Sequence, residues 1–280
     1  MRFVAAFKGA PKIYSFLLLA IIATAIFADV IAPHSPLKAS IAISLQPPAW
    51  VDGGDPSHLL GTDYFGRDVL SRLIFGARIS MIVALLAISL TTAIGTVLGL
   101  LAGYLGGWVD TIIMRVVDIF FSFPSILLAL VLAVVLGPSF QNVIIIMVLV
   151  IWARFARQVR GETLSIKERD FVTIAEAMGV SSWKIMARHI FPNVVPTLLV
   201  LVTLEVGHVV LMEATLAFLG VGIPPPNPSW GIMISEGRDW LEAAWWICVF
   251  PGIAILLTVL TMNMLGDWIR DKLDPKLRQI

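Results

Sequence analysis

The feature that most constrains this chain is a series of long runs almost free of charge. A helix needs about 20 predominantly apolar residues to cross the hydrocarbon core of a bilayer. Ile13–Ala32, Ile79–Ala102, Ile112–Leu136, Pro196–Leu219 and Ala243–Leu265 each reach that length. Charged residues make up only 14% of the 280 residues and hydrophobic residues 58%, whereas soluble domains carry about 25% charge. With a mean hydropathy of +0.91, the chain reads as an all-α integral membrane protein. A water-soluble enzyme is excluded.

A sixth run, Phe140–Trp152, has only 13 residues, but its helical pattern continues into Arg154, Arg157 and Arg160. It reads as a span with a long extension into water; the competing reading is a re-entrant segment, which would separate the termini. Six spans place both termini on one side. That side holds Arg2, Lys8 and Lys12, then Arg115, seven basic residues from Arg154 to Arg188, and Arg270, Lys272, Lys276 and Arg278. The other holds Lys38, Arg67, Arg72, Arg78 and Arg238. The positive-inside rule makes the first side cytoplasmic. The expectation is six transmembrane helices with both termini inside.

This divides the chain into residues 1–32 (tail and first helix), an outward, periplasmic segment 33–78, and a five-helix core over 79–280. The core includes a cytoplasmic loop at 154–195 and a cytoplasmic tail. Ala23-Thr24-Ala25 offers a signal-peptide cleavage pattern, but such triplets arise easily in Ala-rich helices, and the first run is read as a retained span. The 20 basic and 19 acidic residues nearly cancel, so charge implies no polyanion partner. Cys248 stands alone, which rules out an intrachain disulfide or a thiolate metal site.

The outward segment opens irregularly with Pro33, Pro36, Pro47, Pro48 and Gly53-Gly54-Asp55-Pro56. Val69, Leu70, Leu73 and Ile74 then recur at helical spacing, which predicts an amphipathic helix on the membrane surface before the second span. Gly61 to Asp68 nearly matches a phosphate loop. The match fails where Lys and Ser or Thr are required, because Arg67 is followed by Asp68. No nucleotide, cofactor or metal site is therefore expected in this chain.

Gly95, Gly99 and Gly103 recur every four residues, the spacing that lets a second helix approach closely in lipid. In the fifth span, Glu205, His208 and Glu213 occupy one half of the helix. Two ionised carboxylates at mid-bilayer cost about 5–7 kcal/mol on the insertion scale, against about 3–6 kcal/mol returned by the Leu and Val residues around them. That face should avoid lipid, either lining a pathway or forming a structural hydrogen-bond cluster. Arg115 and Asp118, one turn apart, read as a local ion pair.

The loop after the fourth span reads as helix, turn, helix: Asp170–Met178, a break at Gly179, then Ser182–Ile190 ended by Pro192. Being tied to spans at both ends, it cannot lay a recognition helix in a DNA groove. With Phe171, Met178 and Trp183 exposed, it suits docking of a cytoplasmic protein.

Taken together, these motifs resemble the inner-membrane permease subunits of type I ABC importers, specifically the C-type subunit of the peptide and nickel group. The resemblance rests on His58-Leu-Leu-Gly-Thr-Asp63, Gly66-Arg-Asp-Val-Leu-Ser-Arg72, Gly76-Ala-Arg-Ile-Ser80, Gly179-x-Ser-x-Trp-x-Ile, Arg188-His-Ile-Phe-Pro-Asn193, Pro228-Ser-Trp-Gly231 and Glu236-Gly-Arg238, in that order. The superfamily docking motif, Glu-Ala-Ala, three residues, then Gly, is kept only in part: Thr173, Ile174 and Ala175 stand in its first three places before Gly179, and Glu176, one helical turn on from the place of the usual Glu, is the candidate acidic contact.

The resemblance implies a bacterial inner-membrane subunit with no catalytic residues. Its coupling loop would meet two ATPase subunits through Asp170, Phe171, Thr173, Ala175, Glu176, Gly179, Ser182, Trp183, Arg188 and Pro192. A homologous permease would complete a path lined by Glu205, His208 and Glu213, and an outer binding protein would deliver substrate, with di- or oligopeptides ahead of nickel or glutathione. ATP and Mg²⁺ would act on the partners. A self-sufficient secondary transporter is the rival class, but no inverted repeat is visible. A membrane enzyme would need converging groups, and His34, His58, His189 and His208 are scattered.

Overall fold

The computed structural model describes residues 11–273. Arg2, Lys8, Lys276 and Arg278, used above to orient the chain, lie outside the described residues. The described part is helical, and its only β pairing is an isolated bridge between Thr62 and Asp68.

In chain order the helices are α1 (Lys12–Ile26), α2 (Ala28–Ile31), α3 (Val69–Leu105), α4 (Gly107–Phe121), α5 (Ser125–Leu136), α6 (Phe140–Lys167), α7 (Asp170–Ala177), α8 (Ser182–Ile185), α9 (Phe191–Phe218), α10 (Trp230–Gly237) and α11 (Trp246–Leu273). Four continuous helices, over 69–105, 140–167, 182–218 and 246–272, are long and apolar enough to cross a membrane. The pair α4 and α5 supplies a fifth if it counts as one bent span.

The centre is the contact between α3 and α6, which run parallel. Gly95 packs against Phe155 and Trp152, Gly99 against Ala156 and Val159, and Gly103 against Thr163 and Arg160. A Cβ added at Gly99 or Gly103 would stand 2.7 Å from its neighbour, well inside van der Waals contact. The partner of the glycine stripe is therefore a helix of the same chain. Helix α11 lies antiparallel along α9, with Gly266 against Thr203 and Gly207 against Val259. One end of this bundle carries the segment 33–68, and the other carries the α7–α8 hairpin.

Five expectations are corrected. The surface helix does not exist separately: Val69–Leu105 is one helix of 37 residues, about 55 Å long. Asp68 caps it by accepting from the Ser71 amide at 2.7 Å. The residues read as lipid-facing are its first turns, with Val69 and Ile74 buried. The third run is broken, with α4 and α5 meeting at 90°. Pro124 has no N–H to continue α4 and forces Phe123 away from helical geometry; apolarity hid this in the sequence.

Pro192 does not end a helix. A π-helical stretch, Met186–Ile190, widens the turn before it, and the helix continues to Phe218. Such a turn relocates the hydrogen bond that proline cannot donate. Asp118 pairs with Arg157 at 2.5 Å rather than with Arg115, because α4 lies along the polar extension of α6. The same extension holds Asp110 through a two-pronged bond from Arg160.

The first span is also shorter than read. Helix α1 has 15 residues, because the Arg78 guanidinium takes up the carbonyls of Ala25 and Ile26 and the carboxylate of Asp29. It thereby serves the last turn as a C-terminal cap.

Candidate functional site

At the hairpin end, α7 begins at Asp170 and closes at Gly179, whose φ of +74° suits glycine. The Gly179 amide donates to Glu176 and the Val180 amide to Ala175, so the carbonyls at the end of α7 are satisfied as the chain reverses. Val172 and Ala175 face inward. Phe171, Ile174, Met178 and Trp183 are exposed, the last two by 77% and 69%. Thr173, Ser182, Arg188 and Pro192 are exposed as well. This places an apolar ridge on a polar end of the bundle, where nothing among the described residues covers it.

Sequence reading missed what holds this ridge. The Tyr104 hydroxyl, at the last turn of α3, donates to Glu176 Oε1 at 3.0 Å. Lys167 donates to the Tyr104 carbonyl at 2.7 Å and lies over the Tyr104 ring. Glu176, itself exposed, is thereby tied to the last turn of α3. The available signal was position: Tyr104 directly follows the glycine stripe.

Within the bundle, Glu205, His208 and Glu213 are not brought to one place. Glu205 is buried and accepts from Arg154 of α6 at 3.1 Å. His208 lies one turn on, and its buried Nε2 has no hydrogen-bond partner among the described residues. Glu213 is 1% exposed and accepts from Ser229 at 2.8 Å. Ser229 in turn caps α10 through the Ile232 amide. Glu213 therefore fastens α9 to α10 inside the chain. Beside Arg154, the break between α4 and α5 opens a cavity of about 90 Å³ lined by Phe120, Phe121, Phe123, Ser125 and Val150.

The opposite end is clasped by charge. Asp63 pairs with Arg67 at 2.6 Å and with Arg72, and Glu236 with the same two arginines at 2.9 and 2.7 Å. Asp63, Arg67 and Arg72 are buried. Two carboxylates against two guanidiniums leave the cluster neutral, which is what makes its burial tolerable. These residues belong to three motifs, the last of them far from the other two in sequence, and nothing local marks Glu236 as their partner. The indole of Trp246 donates to the Thr62 carbonyl, fixing the segment to the bundle, and that of Trp230 donates to the Leu73 carbonyl, joining α10 to α3.

Comparison with known proteins agrees with this architecture. Residues 95–279 match the family described as binding-protein-dependent transport system inner membrane component. The chain is 49% identical over 255 residues to the dipeptide transport system permease protein DppC of Escherichia coli K12, covering 91% of this chain and 85% of that one. It is 41% identical over 271 residues to the di/tripeptide transport system permease protein DppC of Pseudomonas aeruginosa, covering 97% and 89%. Among solved structures, an inward-facing MetNI methionine ABC transporter matches with a TM-score of 0.59 at 18% identity, over 72% of this chain and 96% of that one; at that identity it speaks for the fold alone. With the family pattern running through α3, α6, the hairpin, α9 and α11, the chain belongs to the binding-protein-dependent transport system inner membrane components.

Proposed function

We propose that this chain is the permease subunit of an ATP-driven importer of di- or oligopeptides, forming half of a path with a homologous permease. The carrying observation is the uncovered apolar ridge of Phe171, Ile174, Met178 and Trp183 on the α7–α8 hairpin. Apolar side chains left exposed together mark a docking surface, and this one is joined to a long span through Tyr104. In this reading the ridge receives cytoplasmic ATPase subunits. Hydrolysis, with its ATP and Mg²⁺, takes place on them, and this chain does no chemistry.

The hairpin end is then cytoplasmic and the clasped segment faces the outer binding protein. Helix directions alternate through α1, α3, α4–α5, α6, α9 and α11, which favours six crossings with both termini on the hairpin side. Arg154, Glu205 and His208, beside the cavity at the α4–α5 break, are the side chains assigned to the path. The unpaired His208 nitrogen is free to meet a polar group of substrate or of the second permease. The peptide cargo follows the names of the relatives; nickel complexes and glutathione are the competing cargoes.

The test is co-purification from native membrane followed by transport in proteoliposomes. Recovery of a second permease and ATPases, with ATP-dependent peptide uptake, is the expected result. Met178→Asp with Trp183→Ala should lower ATPase recovery at least tenfold while leaving the second permease bound. Full ATPase recovery in that variant, or uptake by this chain alone without ATP, would overturn the proposal.

A further inference from the structure

At the end of the bundle that carries the segment 33–68, three side chains from separate stretches of chain converge: His34, His58 and Asp68. His58 Nδ1 lies 3.0 Å from Asp68 Oδ1, and His34 Nδ1 lies 3.8 Å from Asp68 Oδ2. The two imidazole centroids are 4.7 Å apart, and one ligand atom from each of the three residues falls within 4.8 Å of the others. We propose that His34, His58 and Asp68 bind a divalent transition cation of the zinc class, which clamps the segment onto the first turn of α3.

Two nitrogens and one carboxylate oxygen form a donor set for zinc rather than for Ca²⁺ or Mg²⁺, which take oxygen ligands. With zinc–ligand bonds of about 2.0–2.1 Å, tetrahedral donors stand roughly 3.3 Å apart; from separations of up to 4.8 Å the widest pair closes by as much as about 1.5 Å, which rotation of the exposed His34 side chain can supply. The donors are pre-placed by backbone contacts. The His34 amide donates to Ser71 Oγ at 3.0 Å, the His58 amide to Asp55 at 2.9 Å, and Asp68 is fixed as the cap of α3. Asp68 is 2% exposed, whereas the His34 side chain is 39% exposed. That leaves a solvent approach and a fourth position for water.

The positive end of α3 opposes a cation, and the Asp68 carboxylate stands between the two. None of this depends on what the transporter carries.

The experiment uses the full chain in detergent, with any affinity tag removed, stripped with chelator and titrated with ZnCl₂. Elemental analysis after gel filtration should give one zinc per chain, and the thermal midpoint should rise by several degrees. His34→Ala, on the exposed side of the cluster and away from the α3 cap, should lower zinc affinity at least tenfold with an unchanged metal-free midpoint. His58→Gln should lose the zinc-induced rise even if its metal-free midpoint falls. No retained zinc in the unaltered chain, or equal retention by His34→Ala, would overturn the site. Because no ATPase or peptide enters the assay, its failure would leave the importer reading untouched.

Discussion

Tyr104 shows how a single atom separates two roles that the sequence runs together. Its ring packs under Lys167, while its hydroxyl alone reaches Glu176. A hydrogen bond to a charged group contributes about 1.5–3 kcal/mol, and here it joins the hairpin to α3. Tyr104→Phe should therefore leave ATPase binding within a few-fold while lowering peptide imported per ATP hydrolysed; an unchanged ratio in proteoliposomes would refute the strut. Glu236 provides a second case. Glu236→Gln leaves Arg67 and Arg72 buried with only Asp63, and removing one partner of a buried pair typically costs about 3–5 kcal/mol. Thermal unfolding in detergent should show a large drop in midpoint, whereas Asp239→Asn, at an exposed pair, should be nearly silent. Residues of this kind were illegible beforehand because each partner is named by a different motif. Glu205 was read as polar and shielded, and Arg154, its partner, had been counted only as a charge orienting the loop.

Elements were legible where apolarity and length agreed, as in α11 and the later parts of α3 and α9, and α6 was legible because its helical pattern outran a short apolar run. They were misread where proline mattered. Proline was given too little weight at Pro124, inside a run apolar and long enough to read as one span, and too much at Pro192, where a widened turn carries the helix through. Both errors weigh a local rule against a tertiary context that the sequence does not display. They lead to opposite predictions. Pro124→Ala removes the barrier to joining α4 and α5, so helical content should rise slightly while transport falls, because the cavity beside Arg154 closes. Pro192→Ala should leave the helix content unchanged, since the helix already runs through. The glycine stripe needs no such context. Gly99→Val forces a side chain into the Ala156 carbonyl and Val159, and overpacking of this sort costs about 1–3 kcal/mol or more. The expected result is poor recovery of monodisperse protein, with Gly137→Val, which meets no neighbour within 4 Å, as a measure of the strain from positive φ alone.

For the whole molecule, the two ends differ in kind: one is a charge-clasped cap of irregular chain, the other an apolar ridge on a short hairpin. With Cys248 replaced by alanine, a cysteine at Met178 should react with an impermeant reagent only in inverted vesicles, and one at Ser57 only in right-side-out ones. Labelling of both from one face would refute the proposed orientation. The clasp has a further consequence in time. Glu236 is separated from Arg67 by 169 residues, which at synthesis rates of about 5–20 residues per second places its arrival roughly 8–34 s later. Throughout that interval Asp63 faces two guanidinium groups alone. A chain halted anywhere short of Glu236 is therefore left open and cationic at that end, and the cap can close only once nearly all of the protein has been made.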